Sequence, residues 1–376
     1  MPKKIVEEIN LDSEEDENPE NLNKDEKSES DDLYSDFSSF LEKKMEIIPD
    51  RGVRMFFPTG LDILDAILGG GFPSGAFSMI AGNPGSGKTM LACKVIAASQ
   101  IALEGKMIAA FLDAEEATSK SRLGMLGVVN PQIDPYNNLT IEKVFKFVEG
   151  NVLFKQAKNL IDIPSLIVWD SIANTLSEKE HEVEDINQVI GYKARLLSAM
   201  IPRALAKCAQ HNIGIVAINQ LRDKVKIGQF QPANDLKFIS QEKNLPGGNA
   251  IKFNAFHLLE MKVKKVLDQS KYGFDGIVTK LKTVKNKEFA PNIEIEIVGS
   301  YTHGFSNFWT NYRFLRDNKR MNTGAWNMLV DLPEKKFRTK EAHTLYTSDQ
   351  EFREAYDKAV KETIQTEIID KYSVEV

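Results

Sequence analysis

Phe77-Ser78-Met79-Ile80-Ala81-Gly82-Asn83-Pro84-Gly85-Ser86-Gly87-Lys88-Thr89-Met90-Leu91-Ala92 is the stretch whose reading decides the fold. An apolar run of strand character feeds a glycine-rich turn, and helix-forming residues come directly after it. That order aims several backbone N–H groups and the positive end of a helix dipole at a single phosphate group. The spacing from Gly82 to Gly87-Lys88-Thr89 is the phosphate-loop pattern, in which Lys88 reaches the β- and γ-phosphates and Thr89 holds magnesium. Gly82, Asn83, Pro84, Gly85, Ser86, Gly87, Lys88 and Thr89 are therefore the candidate nucleotide residues, with a nucleoside triphosphate and Mg²⁺ as the expected ligands. By itself the loop leaves kinases, transporter ATPases, GTPases, helicases and recombinases open.

Outward from the loop, strand-like and helix-like runs alternate. The strands are expected at 77–81, 107–112, 165–169 and 213–218, with a strand-only series after them at 253–264, 275–284 and 292–298. Alternation implies a mostly parallel sheet with crossover helices, and the later series implies an antiparallel extension. The expected fold class is α/β: a phosphate-loop ATPase core over 59–299 with a small C-terminal α+β domain over 300–376. A terminal helix is expected in that last region, from Asp349 to Tyr372.

The 376 residues, 42% hydrophobic and 27% charged, suffice for such a core with small additions. No run approaches the roughly 18 apolar residues of a membrane span, and the polar, acidic start lacks the pattern of a secretory signal, so a cytoplasmic location is expected. Cys93 and Cys208 sit in helix-like apolar patterns and read as buried thiols. Charge is uneven: residues 1–32 carry thirteen Asp/Glu against four Lys, which leaves +3 on the rest of a chain whose net charge is −6. This first segment reads as a disordered acidic tail. Beyond a solvated extension, it would compete with an anionic ligand for a basic surface. Residues 33–58, with Leu33, Tyr34, Phe37, Phe40 and Leu41, form an amphipathic segment suited to packing on a neighbouring subunit or on its own core.

Two of the strands end in carboxylates, at the edge where a parallel sheet presents its ligands. Asp170, after Leu166-Ile167-Val168-Trp169, is the expected second magnesium residue beside Thr89. Asp113-Ala114-Glu115-Glu116 closes another strand, and Glu115 is the candidate that polarises the attacking water; the alternative is that these acids cap helices. A third strand closes in an amide, Asn219-Gln220, whose uncharged side chain can report the state of the γ-phosphate to the segment after it. That segment is 221–248, with Arg222, Lys224, Lys226, Lys237 and Lys243 interleaved with Phe230 and Phe238 and ending in Gly247-Gly248. A long loop of this composition suits a nucleic-acid backbone and its bases. Residues 252–287 carry nine lysines against Glu260, Asp268 and Asp275, either a solvated sheet edge or, at Lys285-Asn286-Lys287, cations for a phosphate across a subunit interface.

In combination, these motifs resemble RecA-family ATPases. Thr59-Gly60-Leu61-Asp62, Leu68-Gly69-Gly70-Gly71-Phe72-Pro73-Ser74-Gly75, Leu112-Asp113-Ala114-Glu115, Trp169-Asp170-Ser171, Ile218-Asn219-Gln220-Leu221-Arg222, Gly247-Gly248-Asn249-Ala250 and Val284-Lys285-Asn286-Lys287 occur in the order of bacterial RecA and related phage recombinases. The resemblance covers roughly 59–299. It implies Glu115 as the hydrolytic glutamate, Gln220 as the γ-phosphate sensor, and Lys285 and Lys287 as lysines that complete a neighbour's ATP site. It also implies a first DNA loop near 174–190 with Ile190 on the DNA, a second at 222–248, and Arg195, Arg203 and Arg222 near the DNA. Arg122 falls where an aromatic residue stacks on adenine in bacterial RecA.

The implied function is an ATP-dependent recombinase. It would assemble as a helical filament on single-stranded DNA, pair it with homologous duplex, and work beside single-strand-binding and loader proteins. Divergence outside an intact core is similar to a phage-encoded recombinase of the UvsX kind. A ring-forming motor of the same core, or a regulatory ATPase without DNA binding, are the other readings. Lys285-Asn286-Lys287 in place of an arginine finger argues against the motor, and the basic-aromatic 221–248 segment argues against the regulator.

Overall fold

The computed structural model describes residues 54–130, 132–133, 138–183, 189, 191–223 and 243–373. In chain order the first half contains β1 (Phe56–Phe57), α1 (Asp62–Ile67), β2 (Phe72–Pro73), β3 (Phe77–Gly82), α2 (Lys88–Ala102), β4 (Ile108–Asp113), α3 (Lys120–Met125), β5 (Gln132–Ile133), α4 (Ile141–Lys158), β6 (Ser165–Asp170), α5 (Glu178–Glu182), α6 (Tyr192–Gln210) and β7 (Ile213–Gln220). The second half adds β8 (Arg222–Asp223), β9 (Lys243–Asn244), α7 (Asn249–Asn254), β10 (Ala255–Leu267), α8 (Gln269–Tyr272), β11 (Gly276–Lys285), β12 (Glu294–Ser300), β13 (Gly304–Phe305) and α9 (Asn307–Asp317).

Nine strands form one sheet in the order β13-β12-β11-β10-β3-β7-β6-β4-β5. From β10 to β5 neighbours run parallel, and β10 to β13 run antiparallel. This is the expected mixed sheet. The central strands are buried along nearly their whole length because both faces are covered, which is why they read as continuous apolar runs. Alternate residues still divide between two cores. Met79, Ile167, Trp169 and Ala217 join the core with Val148 of α4 and Ile201 of α6. Ile80, Val168 and Val216 join the core with Ile96 of α2 and Phe111.

The ordered core reaches further back than the expected start at Thr59. β1 pairs with β2, and Phe57 is wholly buried among Leu61, Leu64 and Phe72, so the last residues assigned to the N-terminal segment belong to the core. The sheet also runs past 299, since β12 ends at Ser300 and β13 pairs with it through Phe305. Beyond, β14 (Met321–Asn322), β15 (Asn327–Leu329) and β16 (Leu332–Phe337) form a small sheet, with α10 (Ala342–Ser348) and α11 (Gln350–Ile364) after it. The terminal helix reaches Tyr372, the expected end, with a π-helical stretch, Gln365–Asp370, inside it. An aromatic core of Phe308, Trp309, Tyr312, Phe352 and Tyr356 holds this region together, with the Tyr356 hydroxyl donating to the Phe308 carbonyl at 2.8 Å.

Cys93 and Cys208 are buried, as expected, and burial pushes both thiols up to about 12. Among the described residues, no helix is long and apolar enough to cross a membrane. The lysine-rich β10–β11 surface is partly neutralised by the next strand: Lys264 pairs with Glu296 and Lys280 with Glu294.

Candidate nucleotide site

The parallel register sets the site. At the carboxyl edge Gly82 of β3 lies beside Gln220 of β7, while Asp113 of β4 lies beside Asp170 of β6. Four strand ends thus present the phosphate loop, an amide and two carboxylates in one row.

The loop itself is closely supported. Ser86 N–H donates to the Asn83 carbonyl at 3.3 Å, and the Thr279 hydroxyl of β11 donates to the Ser86 carbonyl at 3.1 Å. Gly87 has φ +89°, and a side-chain carbon there would lie 2.7 Å from the Phe305 ring, so this position needs glycine on both counts. From Lys88 the chain enters α2, with Leu91 N–H donating to the Gly87 carbonyl. Lys88 Nζ donates to the Asn83 carbonyl at 2.9 Å. Burial lowers its pKa, an effect opposed by Asp170 and Glu115.

Thr89 and Asp170 are brought together, the threonine hydroxyl donating to Asp170 Oδ2 at 2.6 Å. Burial pushes the Asp170 carboxyl up to about 6, and the nearby Glu115 and Asp113 charges push the same way. This arrangement fits a phosphate-bound magnesium: a hydroxyl and a carboxylate adjoin the helix N-terminus, and buried Ser86 Oγ has no hydrogen-bond partner. A divalent cation would add positive charge beside a buried carboxylate that the Lys88 ammonium only partly offsets.

Neither acid caps α3, whose cap is Ser119; Asp113 instead holds the turn that precedes it. Its two oxygens accept the N–H groups of Glu115 at 3.0 Å and Thr118 at 2.8 Å, turning the chain after β4. Glu115 is left to face the neighbouring strand ends, where Oε1 accepts from Gln220 Nε2 at 2.9 Å, Asn174 Nδ2 at 2.5 Å and Ser171 Oγ at 3.2 Å. Asn174 carried no motif that sequence reasoning could use. Its side chain matters only because the turn after β6 brings it under Glu115.

Gln220 leads directly into residues 221–248, the stretch expected as the second loop. Leu221 is buried, Arg222–Asp223 pair antiparallel with Lys243–Asn244, and Asn219 Nδ2 donates to the Pro246 carbonyl at 2.8 Å. The exit glycines rest on α6. A side-chain carbon on Gly247 (φ +95°) would lie 2.1 Å from Ile251 Cδ1 and 3.1 Å from Leu197, and one on Gly248 would meet Ala194 at 3.0 Å. Arg195 and Arg203 are exposed on the same helix. Ile190, Lys224, Lys226, Phe230, Lys237 and Phe238 lie outside the described residues.

Arg122 is committed elsewhere than an open stacking plane. Its guanidinium donates to the Tyr301 carbonyl at 2.7 Å and the Thr302 carbonyl at 3.1 Å, tying α3 to the turn after β12. Lys285 and Lys287 do not join the row around the loop. Met261 aligns with both Gly82 and Leu281, whereas Lys285 aligns with Leu258 and through it with Met79. Lys285 is therefore roughly 10 Å along the sheet from the loop, toward the opposite edge. There it donates to the Lys252 and Phe253 carbonyls at the end of α7, and Lys287 lies 5.9 Å from the Phe256 ring that Arg54 also covers.

A mixed sheet with a phosphate loop at its carboxyl edge, beside an amide-ended strand and two carboxylate-ended ones, defines the class as phosphate-loop nucleotide-binding proteins. The sequence profile of the RecA N-terminal domain matches residues 50–306. The chain is 31% identical over 327 residues to Protein RecA of Clostridium tetani, covering 83% of this chain and 86% of that protein. With Protein RecA of Geobacter metallireducens the identity is 32% over 286 residues, covering 75% and 76%. With that of Thermus aquaticus it is 33% over 243 residues, and the match spans 64% of this chain and 65% of the relative's length. The chain belongs to the RecA family.

Proposed function

We propose that this chain is an ATP-dependent DNA recombinase, phage-encoded in type, that assembles as a helical filament on single-stranded DNA and promotes homologous pairing and strand exchange. One observation carries the reading: the Gln220 side chain meets Glu115 at 2.9 Å, and the next residues pair with the far end of the second loop. Whatever turns Gln220 toward a γ-phosphate changes its hold on Glu115 and on the root of that loop together.

In this reading the loop N–H groups and Lys88 bind the phosphates, and Thr89 with Asp170 hold magnesium. The metal, when bound, neutralises charge on the β- and γ-phosphates. Glu115 accepts a proton from the attacking water and Gln220 senses the γ-phosphate. Lys285 and Lys287, remote from their own loop, serve the site of the adjacent subunit. Arg195, Arg203 and Arg222 with the 222–248 segment contact single-stranded DNA, and the first loop near 174–190 does the same. Arg122 borders the adenine through its held guanidinium.

Two variants test the assignment. Lys88→Ala is expected to lose tight ATP binding and ATP-dependent assembly together, since the loop loses its cation. Glu115→Gln keeps the binding contacts but removes the proton acceptor, so turnover falls while DNA-bound assemblies persist longer. Normal ATP affinity in the first, or wild-type turnover in the second, overturns the corresponding role.

A further inference from the structure

Three donors meet on a single oxygen of Glu115, and they are not equivalent. Gln220 is the group proposed to leave for the γ-phosphate, and the Ser171 hydroxyl makes the longest of the three bonds, at 3.2 Å against 2.5 Å for Asn174. Once Gln220 turns away, Asn174 is the principal hold on the carboxylate. An amide suits that task because it donates N–H to a carboxylate without adding charge beside the phosphates.

Asn174 is itself held from the far side of the first loop. Lys193 Nζ donates to the carbonyls of both flanking residues, Ala173 at 3.2 Å and Thr175 at 2.7 Å. The turn is fastened below as well: Asn174 and Thr175 N–H donate to the Ser171 carbonyl, and the Trp169 indole donates to the Thr175 hydroxyl at 2.8 Å. Lys193 stands in the first turn of α6, just past residues 174–190. Entry and exit of that stretch are thus joined through one ammonium group.

We infer that Asn174 is a positioning residue for Glu115, and that Lys193 couples it to the exit of the first DNA loop. The loop's state then sets the orientation of the hydrolytic carboxylate. This rests on the role given to Glu115 above.

The experiment is steady-state ATP hydrolysis by the full chain, with and without single-stranded DNA, for Asn174→Ala, Asn174→Asp, Asn174→Gln, Lys193→Ala and the Asn174→Ala/Lys193→Ala pair. Asn174 is exposed, so its truncation opens no cavity; thermal melts check the fold. Asn174→Ala is expected to lower kcat by about tenfold with KM for ATP unchanged, the mark of a contact that orients and does not bind. Asn174→Asp, of the same shape but without the donor, loses at least as much, and Asn174→Gln recovers part of the rate. Lys193→Ala lowers the DNA-stimulated rate more than the DNA-independent one, and the pair is no worse than Asn174→Ala alone. Wild-type kcat in Asn174→Ala and Asn174→Asp, or a loss seen in KM alone, overturns the positioning role. Additive losses in the pair overturn the coupling. Wild-type turnover in Glu115→Gln instead overturns the underlying assignment, so the two failures are distinguishable.

Discussion

Replacing Asp170 with Asn should stabilise the ligand-free protein while disabling its response to magnesium and ATP. Asp170 is buried at the end of β6, and burial lifts its carboxyl from the ordinary 3.8 to about 6. At about 1.4 kcal/mol per pH unit, the ionised group costs the folded chain ~3 kcal/mol near neutral pH. The sign is set by the proton, which the folded chain holds more tightly than the unfolded one. The cost is therefore complete above about pH 6 and vanishes below about pH 4. Asparagine keeps the shape and an oxygen for the Thr89 hydroxyl, which donates to Asp170 at 2.6 Å. The variant should be ~1–3 kcal/mol more stable at pH 7.5, a rise of a few degrees in Tm, and the advantage should fade toward pH 4. Addition of Mg²⁺ and ATP should raise the wild-type Tm and leave the variant nearly unmoved. Melting curves at the two pH values, with and without Mg²⁺ and ATP, read all four quantities. A variant no more stable at neutral pH, or one with the full Mg²⁺–ATP shift, would refute the reasoning.

Other outcomes rest on single features. In Lys285→Ala/Lys287→Ala, isolated subunits should still bind ATP while DNA-stimulated hydrolysis and assembly are lost; mixing with Lys88→Ala subunits should restore some interfaces, and full activity of the double variant alone would rule out the trans role. Gly247→Ala forces a side chain into φ +95° and onto Ile251, so it should cost ~1–2 kcal/mol and weaken single-stranded DNA binding in a fluorescence titration; unchanged Tm and affinity would count against the packing of this exit on α6. Deleting residues 2–32 moves the formal charge from −6 to +3 and should tighten DNA binding, most at low salt; superimposable salt titrations would reduce the tail to a solvated extension.

The core strands were legible because each is short, apolar and ended by a turn or a polar pair. β3, expected at 77–81, runs to Gly82, and β4, expected at 107–112, is shifted by one residue. The alignment of strand ends was legible for the same reason: a carboxylate or amide closing a buried run falls at the carboxyl edge of the sheet. The small sheet β14–β16 was not legible, since its two- to six-residue strands carry Asn, Glu and Lys and little period. Nor was the division of labour between Asp113 and Glu115. Both acids stand at the end of the same strand, and only the turn geometry makes one the anchor of the turn and brings the other to Gln220. Asn174 and Lys193 escaped because their roles depend on a lysine reaching across a loop, which no local spacing encodes.

The central claim is assembly on DNA under control of the nucleotide. Electron microscopy of the full chain with single-stranded DNA and a non-hydrolysable ATP analogue tests it most directly. Open helical filaments that form with the analogue and disappear without nucleotide are the expected result. Closed rings, or no assembly in either condition, would contradict it.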